Sequence, residues 1–343
     1  MSYIRWGVLG LGHIGQNFCQ SIRPVTNATL LAVASKSRNI DSLKASTQIS
    51  AQYSFKNYLD LLNCDEVDAV YIALPNHLHM EWIQLCLEHG KHVLVEKPAV
   101  IHSAELLQIK NQLEFKNLIF SEAFMYIHHP RIEKLLNFIA SGKIGKPVQM
   151  KTSWGFEIFR KPSLFKKTIN FYKTKPSRFK IKHGGGCILD HGCYMTSLSY
   201  LIARIFSEKK EVPFSLENKT YTFANEEVEV DASTTINFAN GFRSDIQCSF
   251  TTHLDETTFL FGEEGEIRID DTWSCQSNGF WVNSKYFEIP NPSFDNPYSF
   301  QIQKISENIA LRNQGENINL KFGLNESFNN ALILDSWRSP VLH

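Results

Sequence analysis

The sequence predicts a two-domain α/β chain, with an N-terminal Rossmann-type doubly wound parallel sheet followed by an α+β domain built on an antiparallel sheet. Three observations carry this. Short apolar strands alternate with helical patterns through about residue 120, a glycine loop lies at the first strand-to-helix junction, and beyond Pro147 the pattern turns to strands with a hairpin signal at Asn240-Gly241. The length of 343 residues exceeds what one core usually holds and favours division, placed at 1–122 and 123–343.

In chain order, the first half reads as a strand from Ile4 to Leu9, a helix from Gly12, a strand from Leu30 to Ser35, a helix around Leu43, a strand from Ala69 to Leu74, a helix from His79, and a strand from His92 to Val95. These strands are apolar almost throughout, which suits a parallel sheet covered on both faces. The second half offers strand-like segments at 148–159, 219–238 and 242–252, and a turn entering a strand across 262–270. Helical spacing returns from Tyr298 to Leu311 and from Glu326 to Arg338.

Lys plus Arg (35) equals Asp plus Glu (35), so no net field recruits nucleic acid or an anionic membrane, and a small-molecule partner is expected. Seven cysteines with no C-x-x-C form no secreted disulfide framework, and no segment resembles an export signal or a bilayer span. A soluble, cytoplasmic protein is the expectation.

Gly10-Leu11-Gly12-His13-Ile14-Gly15 supplies G-x-G-x-x-G after I-R-W-G-V-L and at the start of a helix. Its glycines permit a tight turn, approach of backbone to a pyrophosphate, and close helix-to-strand packing. The second strand ends at Ser35, followed by Lys36-Ser37-Arg38, with no acid before Asp41. A ribose 2′-OH is usually met by an acid near this point, whereas a 2′-phosphate suits hydroxyl and cationic donors. NADP(H) is therefore expected over NAD(H), with Ser35, Lys36 and Arg38 at its phosphate.

Taken with the glycine loop, the stretches A-L-P-N-H-L-H (73–79), V-E-K-P (95–98), E-A-F-M-Y-I-H-H-P (122–130) and G-G-G-C-I-L-D-H-G-C-Y (184–194) resemble the Gfo/Idh/MocA oxidoreductase family, in particular its branch of glucose-fructose oxidoreductase and dimeric dihydrodiol dehydrogenase. The resemblance implies a C-terminal domain with an open-faced antiparallel sheet that binds substrate and mediates a homodimer or homotetramer. It places Leu74, Pro75, Asn76, His79 and Glu96 beside the cofactor and Lys97 near the nicotinamide and the reacting oxygen, often before a cis proline. Relatives of this branch often carry arginine where Ile127 stands here.

The family's proton donor or acceptor stands four residues after the aspartate, which here is Tyr194 after Asp190. On a helix these project from one face. Moving hydride to or from a carbonyl carbon also requires a proton on or off its oxygen. A nearby Lys97 ammonium would favour the Tyr194 phenolate and stabilise charge on the reacting oxygen, while Asp190 would orient sugar hydroxyls or Lys97. Arg178, Trp154 and His183 are candidate substrate contacts.

No metal site is expected. His183, Cys187, Asp190, His191 and Cys193 are competent ligands, but Cys187 and His191 share a helix face that Cys193 does not, and no second cluster completes the set. The expected activity is NADP(H)-dependent interconversion of a secondary alcohol and a ketone, or of a hemiacetal and a lactone, on a sugar or cyclic polyol. Its alternatives are a reductase of nucleotide-linked keto-sugars and a non-catalytic dinucleotide-binding sensor.

Overall fold

The structure, a computed structural model, describes residues 3–36, 49–158, 176–207, 211–224, 228–289, 293–318 and 320–339. The helix expected around Leu43, and Arg38 and Asp41 with it, lie outside the described residues. Two compact units are present. One comprises Met1–Val100, Ala104–His129 and Ser293–Ser327, the other Ile101–Ser103, Pro130–Pro292 and Phe328–His343.

The first unit holds a parallel sheet of β1 (Ile4–Leu9), β2 (Ala28–Ala34), β3 (Tyr53–Phe55), β4 (Ala69–Ile72), β5 (His92–Val95) and β6 (Phe120–Glu122), in the order β3-β2-β1-β4-β5-β6. The order reverses between β1 and β4, the switch point at which doubly wound sheets bind ligands. Every residue of β4 and β5 is buried, as a sheet covered on both faces requires. Among the described helices are α1 (His13–Ser21), α2 (Tyr58–Leu62), α3 (His79–Glu88), α4 (Ser103–Leu107) and α5 (Lys110–Lys116).

The second unit carries α6 (Pro130–Ala140), β7 (Pro147–Gly155), α7 (Cys193–Ile205), β8 (Phe214–Ala224), β9 (Val228–Phe238), β10 (Arg243–Ser249), β11 (Thr258–Gly262), β12 (Glu266–Ile269), β13 (Gly279–Val282) and β14 (Lys285–Glu288). These strands form one sheet in the order β14-β13-β12-β11-β7-β10-β9-β8. The pairing is antiparallel except between β7 and β10, which run parallel. The segment 219–238, read as one strand-like stretch, is parts of two strands, β8 and β9, paired antiparallel. The Asn240-Gly241 turn joins β9 to β10, with Gly241 at φ +88°.

Alternation gives the sheet two faces. Met150, Thr152, Ser244, Ile246 and Cys248 are buried, and Ser244 shares a 2.7 Å hydroxyl contact with Ser199 of α7. Lys151, Arg243, Gln247 and Phe259, pointing the other way, are exposed.

Two helices close the chain, α8 (Pro297–Asn313) and α9 (Leu324–Arg338). Pro297 occupies the first turn of α8, and the Tyr298 N–H donates to the Asn296 side chain at 3.0 Å. Ile302, Ile305 and Ile309 of α8 join the core of the first unit with Trp6, Val8 and Phe18, and the Trp6 indole donates to Ser306 Oγ at 3.0 Å.

Candidate functional site

In the first unit the glycine loop divides its labour. Gly10 has φ +93°, and a Cβ there would lie 2.5 Å from the Ala73 carbonyl oxygen, so only glycine fits. A Cβ on Gly15 would lie 2.0 Å from the Gly10 carbonyl oxygen, which fixes α1 against the end of β1. Around Gly12 nothing lies within 4 Å of the added carbon, leaving open space. Gly12 is the N-cap of α1 with no side-chain hydrogen bond, and the first turn, beginning His13-Ile14, holds no acid. The orphan amides and the positive end of the dipole thus remain available to an anion, which fits a dinucleotide pyrophosphate.

Ser35, just past β2, is buried, and its N–H donates to the Phe55 carbonyl at 3.1 Å. The next residue, Lys36, is exposed, with its ammonium 4.9 Å from the centre of the Tyr58 ring and 5.5 Å from that of Trp82. These rings meet edge to face at 5.0 Å and hold the cation at the end of β2.

After β4, Leu74 is buried, Pro75 exposed, and Asn76 opens a short 3-10 turn that leads into α3. The first residue of α3, His79, is fully buried, with Nδ1 2.8 Å from the Pro98 carbonyl oxygen and Nε2 2.8 Å from that of Leu74. Burial holds its pKa below the ordinary value while the two carbonyls pull the other way. His79 therefore spans two loops, the one after β4 and the one after β5.

The loop after β5 is Glu96-Lys97-Pro98, with a cis peptide bond between Lys97 and Pro98. Glu96 is buried and its carboxylate accepts from the Tyr71 hydroxyl, while Lys97 is half-buried. One residue here carried no expectation from the sequence. Glu122, at the end of β6 and 2% exposed, accepts from the Ala99 N–H at 2.9 Å. Its pKa is pushed up to about 7, chiefly by burial and also by the Glu96 charge, against the pull of the Ala99 and Ser327 hydrogen bonds and of Lys97.

In the second unit the triple glycine leads into a π-helical turn, Ile188–Gly192, that runs on into α7. Gly184 and Gly186 have φ of +71° and +107°, and a Cβ on Gly186 would lie 2.2 Å from Glu229 Oε1. Glu229 is completely buried and also accepts from the Ile188 N–H at 3.4 Å. It braces the turn on which Asp190 rides, and nothing but an acid between two valines on β9 signals it in the sequence.

Asp190 Oδ2 lies 2.9 Å from Arg178 Nη2. Tyr194, 4% exposed, meets the half-buried Trp154 edge-on at 4.8 Å and lies 5.9 Å from the Trp273 ring. Trp154 also stacks at a tilt on His191, at 4.6 Å. Asp190 is thus joined to Arg178, and Tyr194 to Trp154. His183, half-buried, donates its N–H to the Lys180 carbonyl at 2.9 Å. Cys187 packs in the interior with its sulfur 3.4 Å from that of Cys248, and all seven cysteines are free thiols.

Residues 4–124 match the family model "Oxidoreductase family, NAD-binding Rossmann fold", and residues 132–268 match the "GFO/IDH/MocA C-terminal domain". The chain is an NAD(P)-dependent oxidoreductase. It belongs to the Gfo/Idh/MocA family. A trans-1,2-dihydrobenzene-1,2-diol dehydrogenase from Mus musculus is 23% identical, covering 87% of this chain and 83% of its own. A D-xylose 1-dehydrogenase (NADP(+)) from Haloferax volcanii is 28% identical over 72% of this chain and 70% of its own. The fold is similar to that of a 3-ketoreductase from Actinomadura kijaniata in complex with NADP and TDP-benzene, with TM-score 0.79 and 21% identity over 98% of both chains.

Proposed function

We propose that the protein is an NADP(H)-dependent oxidoreductase that interconverts a secondary alcohol and a ketone, or a hemiacetal and a lactone, on a sugar or cyclic polyol. The observation that carries this reading is the presence in one family member of both Lys97, on the loop after β5, and Tyr194, on the helix after the glycine turn. Relatives named as xylose and dihydrodiol dehydrogenases support the substrate class.

A bound nicotinamide supplies or accepts the hydride. The chain's own groups handle the oxygen: the Lys97 ammonium stabilises negative charge on it, and the Tyr194 hydroxyl gives or takes its proton. Asp190 positions substrate hydroxyls together with Arg178, while His183 and Trp154 line the substrate. Gly10, Gly12, His13, Ile14 and Gly15 receive the pyrophosphate, and Leu74, Pro75, Asn76, His79 and Glu96 shape the loops at the cofactor.

NADP(H) is favoured over NAD(H). Lys36 presents a cation at the end of β2, and neither Ser35 nor Lys36 offers the acid that a 2′-hydroxyl would use. The NADP(+) specificity in the name of the xylose dehydrogenase supports this. The exposed sheet face of Lys151, Arg243, Gln247 and Phe259 is the surface through which a homodimer or homotetramer would form. A reducing cytoplasm suits the seven free thiols.

A reductase of nucleotide-linked keto-sugars is the second reading, favoured by a 32% identical dTDP-3,4-didehydro-2,6-dideoxy-alpha-D-glucose 3-reductase that matches 56% of this chain. Thermal-shift titration with dTDP separates the two, since only the second reading requires affinity for it. The test of the shared mechanism is Tyr194→Phe, assayed by nicotinamide absorbance on a panel of sugars and keto-sugars. Turnover should fall by about 100-fold or more while NADPH affinity stays within roughly twofold, the size expected for loss of one acid-base group. Full turnover in that variant overturns the assignment.

A further inference from the structure

Glu122 in the first unit and Glu229 in the second are buried carboxyls to which the mechanism above gives no part. Glu122 carries the argument further, because it touches the loop that bears the lysine. β6 pairs with β5 so that Glu122 lies opposite Val95, the residue before Glu96-Lys97-Pro98. The Ala123 N–H donates to the Val95 carbonyl at 2.8 Å, and the Glu122 carboxylate reaches past it to accept the Ala99 N–H at 2.9 Å. His79 meets the Pro98 carbonyl from α3. The lysine loop is therefore fastened at successive residues on its far side, once by an imidazole and once by a carboxyl.

Glu96 and Lys97 face Glu122 from the loop, the Ala99 amide from the loop's end, and the Ser327 hydroxyl from α9. Only Lys97 among them is cationic. A carboxylate enclosed in this way has little solvent to screen it, so its charge acts on the nearest ammonium far more strongly than a surface acid would.

We propose that Glu122 is a positioning residue for Lys97, its carboxylate holding the backbone of the lysine loop and stabilising the ammonium form of the side chain. The inference rests on the reading of Lys97 as the group that stabilises the reacting oxygen. Ionised Glu122 raises the proton affinity of Lys97, and protonated Glu122 withdraws that support. The carboxyl, pushed up to about 7, changes state near neutrality, so its support of the ammonium is full only above that pH.

The test requires no substrate. Wild type and Glu122→Gln are pulsed with 2,4,6-trinitrobenzenesulfonate from pH 6 to 11, and modification of Lys97 is read by peptide mass spectrometry. The glutamine keeps a carbonyl to accept the Ala99 N–H and removes the charge. Loss of the charge should make Lys97 roughly 3- to 10-fold more reactive at pH 8, because an opposite charge nearby holds an amine pKa up. Superimposable Lys97 profiles in the two proteins overturn the proposal. NADPH fluorescence titration checks that the variant is folded. Should it not fold, Glu122→Asp serves, with a charge kept but withdrawn by one methylene: a Lys97 profile shifted toward higher reactivity supports the proposal, and an unshifted one overturns it. Lys97→Met tests the underlying reading separately, since undiminished turnover in that variant removes the lysine's catalytic part without touching the labelling result.

Discussion

Arg178 and Asp190 meet directly, Nη2 to Oδ2 at 2.9 Å, with 27% and 19% of their side chains exposed. Each was a separate candidate in the sequence, Arg178 for substrate and Asp190 for orienting hydroxyls or the lysine. Their pairing makes them one unit, a carboxylate whose direction is set by a guanidinium that also lies 5.6 Å from the Phe250 ring. Partial exposure limits the strength of such a pair to about 1 kcal/mol.

A double-mutant cycle of Arg178→Ala and Asp190→Asn, read by urea unfolding, should therefore give a coupling of about 0.5 to 1 kcal/mol. Additive single effects would mean that the pair contributes nothing to holding Asp190. In the assay with a turned-over sugar, Arg178→Ala should raise KM more than it lowers kcat, because a freed Asp190 positions substrate less well while Lys97 and Tyr194 are untouched.

Lys36 gives the sharpest reading of cofactor choice. Its ammonium is held over Tyr58 and Trp82, at 4.9 and 5.5 Å from the ring centres, so little side-chain freedom remains to be lost when it meets a phosphate. Lys36→Ala should weaken NADPH binding by about 10- to 100-fold, the range for one charge-assisted hydrogen bond, and leave NADH binding nearly unchanged. Fluorescence titration with both nucleotides measures this, and an equal loss for the two would remove Lys36 from the 2′-phosphate. Trp82→Leu should produce a smaller loss in the same direction.

The parallel sheet is legible because its strands are apolar on both faces, and the glycine loop because Gly15 answers to the Gly10 backbone within the loop itself. The braces are not. Gly186 reads as one of three glycines in a turn, yet what excludes a side chain there is the carboxyl of Glu229, which arrives from another strand. His79 reads as part of a motif, while its two carbonyl partners belong to different loops. The boundary between β8 and β9 is hidden because no Gly or Pro punctuates the stretch 219–238. Spacing reports periodicity within an element, and these features depend on which elements become neighbours.

Glu122 also leaves a signature in stability. Its folded-state pKa is pushed up to about 7 from the ordinary 4.5, mainly by burial, so the fold favours the protonated carboxyl. Below pH 4.5 the group is protonated whether the chain is folded or not, and that preference is present in full. As pH rises through 7 the folded protein must ionise a buried group that the unfolded chain ionises freely, and the preference is lost. The loss across that window is of order 3 kcal/mol. Glu229, also raised by burial, adds a slope of the same sign, whereas His92 and His128, pushed down to about 4 and about 3, act oppositely and cost stability as pH falls below their ordinary range. A comparison with Glu122→Gln cancels these other groups. Between pH 5 and 7.5, urea unfolding of wild type should lose about 2 to 3 kcal/mol more than the variant loses. Parallel pH dependences for the two proteins would show that Glu122 ionises in the folded chain as it does in water, and that burial does not raise it.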